Sequence, residues 1–154
     1  MKIPAADGDS GGSACARISG DEANCGERSS LQTAKAVNDT GTAIVVWQAA
    51  GALDNSNPYQ VESATRPAGG AWSAVATVSP NAPQTWTPKV ALDAAGNATV
   101  VWEQGATVNN YRIYAATRPA GGAWSGQTRI EPATWYFAGS DAIATDAAGN
   151  VTAA

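Results

Sequence analysis

Ala64-Thr-Arg-Pro-Ala-Gly-Gly-Ala-Trp-Ser73 returns almost unchanged, fifty-two residues later, as Ala116-Thr-Arg-Pro-Ala-Gly-Gly-Ala-Trp-Ser125. A ten-residue string kept at a fixed spacing marks copies of one supersecondary unit. A second motif keeps nearly the same period. Ala36-Val-Asn-Asp-Thr-Gly-Thr-Ala-Ile-Val-Val-Trp47 is followed by Ala91-Leu-Asp-Ala-Ala-Gly-Asn-Ala-Thr-Val-Val-Trp102, and a third copy opens at Ala144.

Within each unit the residues predict four short strands. The first ends at the Asn or Asp (Lys35–Asn38, Val90–Asp93), and Asp-x-x-Gly-Asn then makes a hairpin. The carboxylate or amide can bond its own downstream backbone, and Gly takes the positive φ. The second strand is Ala43–Gln48 or Ala98–Glu103, Val-rich and ending near Trp. After a variable loop, the third strand, Tyr59–Arg66 or Tyr111–Arg118, alternates with the period of two. Pro-Ala-Gly-Gly turns the chain into a fourth strand, Ala71–Ser79 or Ala123–Glu131, because proline cannot continue a ladder. No stretch has helical spacing with caps.

Four antiparallel strands per repeat cannot cover both faces of their own sheet. Stacking neighbours buries those faces, so the expected architecture is all-β, with β-propeller-type four-stranded antiparallel blades in an incomplete ring. The expected organisation is a flexible or disulfide-looped leader over residues 1–34, a first blade over 35–89, a second over 90–142 and the start of a third over 143–154. A β-sandwich or a solenoid is the competing architecture.

The Val-Ala-Leu-Asp-Ala-Ala-Gly-Asn-Ala-Thr-Val-Val-Trp stretch resembles the Asp-x-x-Gly-Asn turns of NHL-type and bacterial extracellular β-propeller repeats. The resemblance covers roughly residues 35–154 and implies a propeller scaffold of a secreted or surface protein, a scaffold that serves binding, scaffolding and catalysis alike. A fainter similarity to the Asp-box turn of sialidases implies a hydrolase, but the leading Ser is missing and the Trp comes too late after the Gly.

The 154 residues carry a net charge of −4 and only 14% charged residues. No basic run provides the electrostatic footprint of a nucleic-acid partner, and no apolar stretch reaches the length of a membrane span. Cys15 and Cys25 either close a small local disulfide or remain free thiols. The chain has no histidine. The Gly8-Asp-Ser-Gly-Gly12 string therefore lacks the base its serine would need, and a zinc site is not expected. The leader's acidic residues match no calcium-loop spacing. No metal or cofactor is expected. Three sequons, at Asn38, Asn97 and Asn150, fall in the hairpins, where turn chemistry already accounts for the asparagines.

Trp47, Trp102, Trp72 and Trp124 occupy repeat positions and are expected between blades. Trp86, Trp135 and Tyr136 fall between repeats, and Tyr59 and Tyr111 open third strands. These five are the candidate ligand-binding residues, since loop-end aromatics can stack on a sugar ring or anchor a protein. The expected function is non-catalytic: an extracellular repeat module binding carbohydrate or protein, partnered by copies of itself or by the remaining blades of a longer chain. Two alternatives stand beside it. One is a sialidase-like glycoside hydrolase using Glu62, Glu103 or Glu131 with Arg66, Arg112, Arg118 and Arg129. The other is a structural repeat with no ligand.

Overall fold

The computed structural model describes residues 30–50, 59–79, 84–105, 110–131, 142–146 and 148–153. Cys15, Cys25, Trp135 and Tyr136 lie outside them. The described residues are all-β, with no helix. Strands β1 (Ser30–Val37), β2 (Ala43–Ala50), β3 (Tyr59–Arg66) and β4 (Ala76–Thr77) form one antiparallel sheet in sequential order. Strands β5 (Thr85–Leu92), β6 (Ala98–Gly105), β7 (Tyr111–Arg118) and β8 (Thr128–Arg129) form a second of the same order, and β9 (Ile143–Thr145) pairs with β10 (Val151–Ala153).

The hairpin chemistry repeats atom for atom. Asn38, Asp93 and Asp146 each accept the backbone N–H four residues on, at 2.9, 2.7 and 2.8 Å. Gly41, Gly96 and Gly149 follow with φ of 84°, 88° and 84°. This is the three-residue loop whose last position is left-handed. The turns also touch one another. Asn38 Nδ2 donates to the Asp93 carbonyl at 2.9 Å, and a Cβ on Gly149 would stand 3.2 Å from Asp93 Oδ2.

The third strands run as the alternation predicts. The first strands are longer: β5 begins at Thr85, and Trp86 is inside it rather than in a linker. A register shift between Trp86 and Lys89 accommodates Thr87-Pro88. Proline lacks the donor a regular ladder needs and is tolerated at such a bulge. The fourth strands shrink to two residues. Ser73 Oγ accepts the Thr65 N–H (3.1 Å) and Ser79 Oγ the Val61 N–H (2.8 Å). Side-chain oxygens thus replace ladder bonds at both ends of β4. Ser125 and Glu131 do the same for Thr117 and Ile113 around β8.

The two four-stranded sheets pack face to face, with β1 and β2 alongside β5. Ile44, Val46, Val61 and Val78 from the first sheet meet Val90, Leu92, Val100 and Trp102 from the second, and all are under a tenth exposed. Fully burying a side chain of this kind contributes about 1.5–3 kcal/mol. Polar links cross the joint as well. The Gln48 amide donates to the Thr85 carbonyl, and Gln32 Oε1 accepts the Thr87 N–H. Trp124 Nε1 donates to Ser63 Oγ at 2.9 Å, and Arg118 donates to Thr65 Oγ1 at 2.5 Å. Burial pulls the Arg118 guanidinium down from its ordinary pKa, and its Nε has no hydrogen-bond partner.

Candidate functional site

The repeat puts its two kinds of tight turn at one end. Ala43 pairs with Arg66, and Ala98 with Arg118, so the Asx hairpins and the Pro-Ala-Gly-Gly turns share an end. The β2–β3 and β6–β7 connections emerge at the opposite end, where Tyr59, Trp86 and Tyr111 lie.

Trp86 pairs with Glu103 across β5 and β6. Tyr111 pairs with Gly105 across β6 and β7. Directly paired residues share a face, so Trp86, Glu103 and Tyr111 project from the same side, the one turned away from the first sheet. Gly105 contributes no side chain between them, and the two rings meet diagonally over β6. Their centroids are 4.5 Å apart at 76°. An edge-to-face pair of this kind adds about 0.5–1.5 kcal/mol to simple burial. Gly105 is required there: a Cβ would stand 2.1 Å from the Asn110 carbonyl oxygen. Its N–H donates to the Gln84 carbonyl at 3.1 Å, tying the start of β5 to the end of β6.

The backbone beside Trp86 is strained. Thr87 has φ of 46°, a conformation costly for a β-branched side chain. The bond from its N–H to Gln32 of the neighbouring sheet holds it there. Thr85 Oγ1 and Thr87 Oγ1, on either side of Trp86, have no hydrogen-bond partner. Leaving a buried hydroxyl unpaired costs about 1–3 kcal/mol. Strain and unpaired polar groups concentrated around one half-exposed aromatic mark a place where the fold has given up stability.

Trp86 and Tyr111 are thus brought together. Tyr59 holds the repeat position equivalent to Tyr111 on the first sheet, opposite Ala50, and is half-buried. Sequence reasoning did not single out Gly105, Thr85 or Thr87; the Thr87-Pro88 dipeptide inside a strand was the available signal.

The charged residues fall into separate groups rather than one cluster. Arg66 and Arg118 stack on Trp72 and Trp124, 5.3 and 5.2 Å from the ring centres, at the hairpin end. Arg112 lies six strand positions from Arg118, about 20 Å away. Glu131 bonds Arg129 at 2.5 Å and stands 3.8 Å from Arg112. Glu62 accepts from Trp47 (3.1 Å) and Gln60 (2.7 Å). Among the described residues no group of three acidic or cysteine side chains is arranged to hold a metal ion, and no helix is long and apolar enough to cross a membrane.

Among known proteins, the chain matches no family model, no curated protein and no solved structure.

Proposed function

We propose that the chain is a non-catalytic binding module whose stacked sheets are propeller-type blades and whose loop end holds a carbohydrate. The observation that carries this reading is the Trp86–Tyr111 pair. In an edge-to-face pair the edge-on ring keeps both of its flat faces clear of its partner, and a flat aromatic face is what the C–H side of a sugar ring stacks on. Glu103, directly across from Trp86, offers a carboxylate acceptor for sugar hydroxyls beside the rings. A neutral, polar ligand also suits an acidic chain with few charges. Repetition supports the blade reading: sheets of the same strand order stack front to back, the face of one repeat against the opposite face of the next, with their first strands side by side. An extracellular setting accords with the low charge and with the resemblance of the repeat to surface-protein propellers.

The test is a glycan array followed by titration of the best hit against the wild type and the Trp86→Ala and Tyr111→Ala variants. Loss of at least tenfold in affinity in each variant, with the far-UV spectrum unchanged, is the expected result. Binding that survives both substitutions moves the site elsewhere, and an array with no hits removes the carbohydrate reading.

A further inference from the structure

The internal joint has two halves, and the chain carries a second copy of each half on its outer sides. One half of the joint is the β5–β8 face that presents Leu92, Trp102, Arg118 and Trp124 to the first sheet. Its repeat equivalents on β1–β4 are Val37, Trp47, Arg66 and Trp72, and these face away from the second sheet. Leu92 is 7% exposed where Val37 is 66% exposed, and Arg118 is buried where Arg66 is exposed. The Arg66–Trp72 stack is already formed, with nearly the geometry of Arg118–Trp124. In the joint that pair grips the hydroxyls of Ser63 and Thr65.

The other half of the joint is the β1–β4 face that presents Ser63, Thr65 and Val78. Its equivalents on β5–β8 are Ala115, Thr117 and Ile130. Val78 is 4% exposed and Ile130 46%, and Thr117 is exposed. The gripping half therefore recurs in the open and the receiving half recurs with only the β9–β10 hairpin at its inner edge, and the partner that fits each is visible inside the same molecule.

We propose that a second copy of this chain docks head to tail, its β5–β8 face, through Thr117 and Ile130, receiving the Arg66–Trp72 clamp and Val37 of the first. Two differences weaken this joint relative to the internal one. Ala115 stands in place of Ser63, which removes the Trp hydrogen bond, and Glu103 stands in place of Gln48, its carboxylate unable to donate to a backbone carbonyl. The β9–β10 hairpin rests on β5 at the inner edge of the receiving face, and the docked sheet takes its place. The contact is heterologous, so it propagates from copy to copy until it closes on itself or runs on.

The experiment is sedimentation velocity on the full chain over a wide concentration range, which depends on no carbohydrate. The expected result is reversible association that passes beyond the dimer. Arg66→Ala removes the gripping half and Ile130→Asp the receiving half, and each variant alone is expected to stay monomeric. Mixed, they retain one complementary pair of faces and are expected to form dimers and nothing larger. Both residues are exposed and remote from the core, and circular dichroism checks that the variants fold. If Ile130→Asp perturbs the fold, Thr117→Glu takes its place. A wild type that stays monomeric overturns the proposal. So does a single variant that associates as the wild type does, or a mixture that forms no dimer.

Discussion

At the scale of single residues, the repeat tolerates a change of chemistry if one oxygen is kept. Asn38 and Asp93 hold the same turn position and accept the same backbone N–H, one through an amide and the other through a carboxylate. The carboxylate adds a titration. The Asn97 side-chain hydrogen bond, with help from the backbone N–H groups of the turn, holds the Asp93 carboxyl below its ordinary pKa; Asn150 does the same for Asp146. A folded-state pKa below the unfolded one adds stability above the unfolded value, about pH 4. That contribution is lost as pH falls through the folded value. The Asp93→Asn/Asp146→Asn double variant keeps the accepting oxygens, as Asn38 does, and cannot titrate. Its thermal midpoint is expected to fall less steeply than that of the wild type on acidification below about pH 4. Superimposable pH profiles would show that the two turns contribute nothing to acid lability.

At the scale of elements, the sequence is legible where turn chemistry bounds a strand and obscure where side chains stand in for the ladder. Pro67 and Pro119 end β3 and β7 at the expected residues, because proline ends a ladder on covalent grounds. The fourth strand is shorter than its residue pattern predicts, since Ser73, Ser79, Ser125 and Glu131 supply through their side chains hydrogen bonds that strand pairing would otherwise make. The first strand of the second repeat is longer than its residues predict, since Thr87-Pro88 resembles a break and is a bulge. The aromatic residues of the candidate site were legible one at a time. Their pairing was not, because it depends on Gly105 leaving space between strands twenty-five residues apart. The hairpins are the most rigidly specified elements, and Gly96 tests that. A Cβ there meets only the Ala120 Cβ, at an ordinary 3.4 Å, so any cost comes from the φ of 88°. Gly96→Ala is expected to lower stability by about 1–2 kcal/mol in urea titration, and Gly96→Asn by less, because Asn tolerates this region. Equal losses would point to crowding rather than backbone conformation.

At the scale of the whole molecule, the same residue has different worth according to which side of a sheet is covered. Trp47 and Trp102 are one repeat position. Trp102 is fully buried between the sheets and stacks on Tyr114, with centroids 6.2 Å apart at 21°. Trp47 lies on the outer side of the first sheet, half-buried, and its indole N–H donates to Glu62. Removing Trp102 empties an enclosed space that β5–β8 and β1–β4 cannot both close around, a loss of about 3–5 kcal/mol for Trp102→Ala. Removing Trp47 returns a partly wet surface to water and leaves Glu62 bonded to Gln60, a loss of roughly 1–2 kcal/mol from burial. The comparison is made by urea denaturation of each variant at low protein concentration, so that only contacts within one chain count. If a second sheet covers Trp47 as the internal joint covers Trp102, the Trp47→Ala deficit grows as protein concentration rises while the Trp102→Ala deficit stays fixed. A concentration-independent gap between the two variants would mean that the outer face of β1–β4 remains in water.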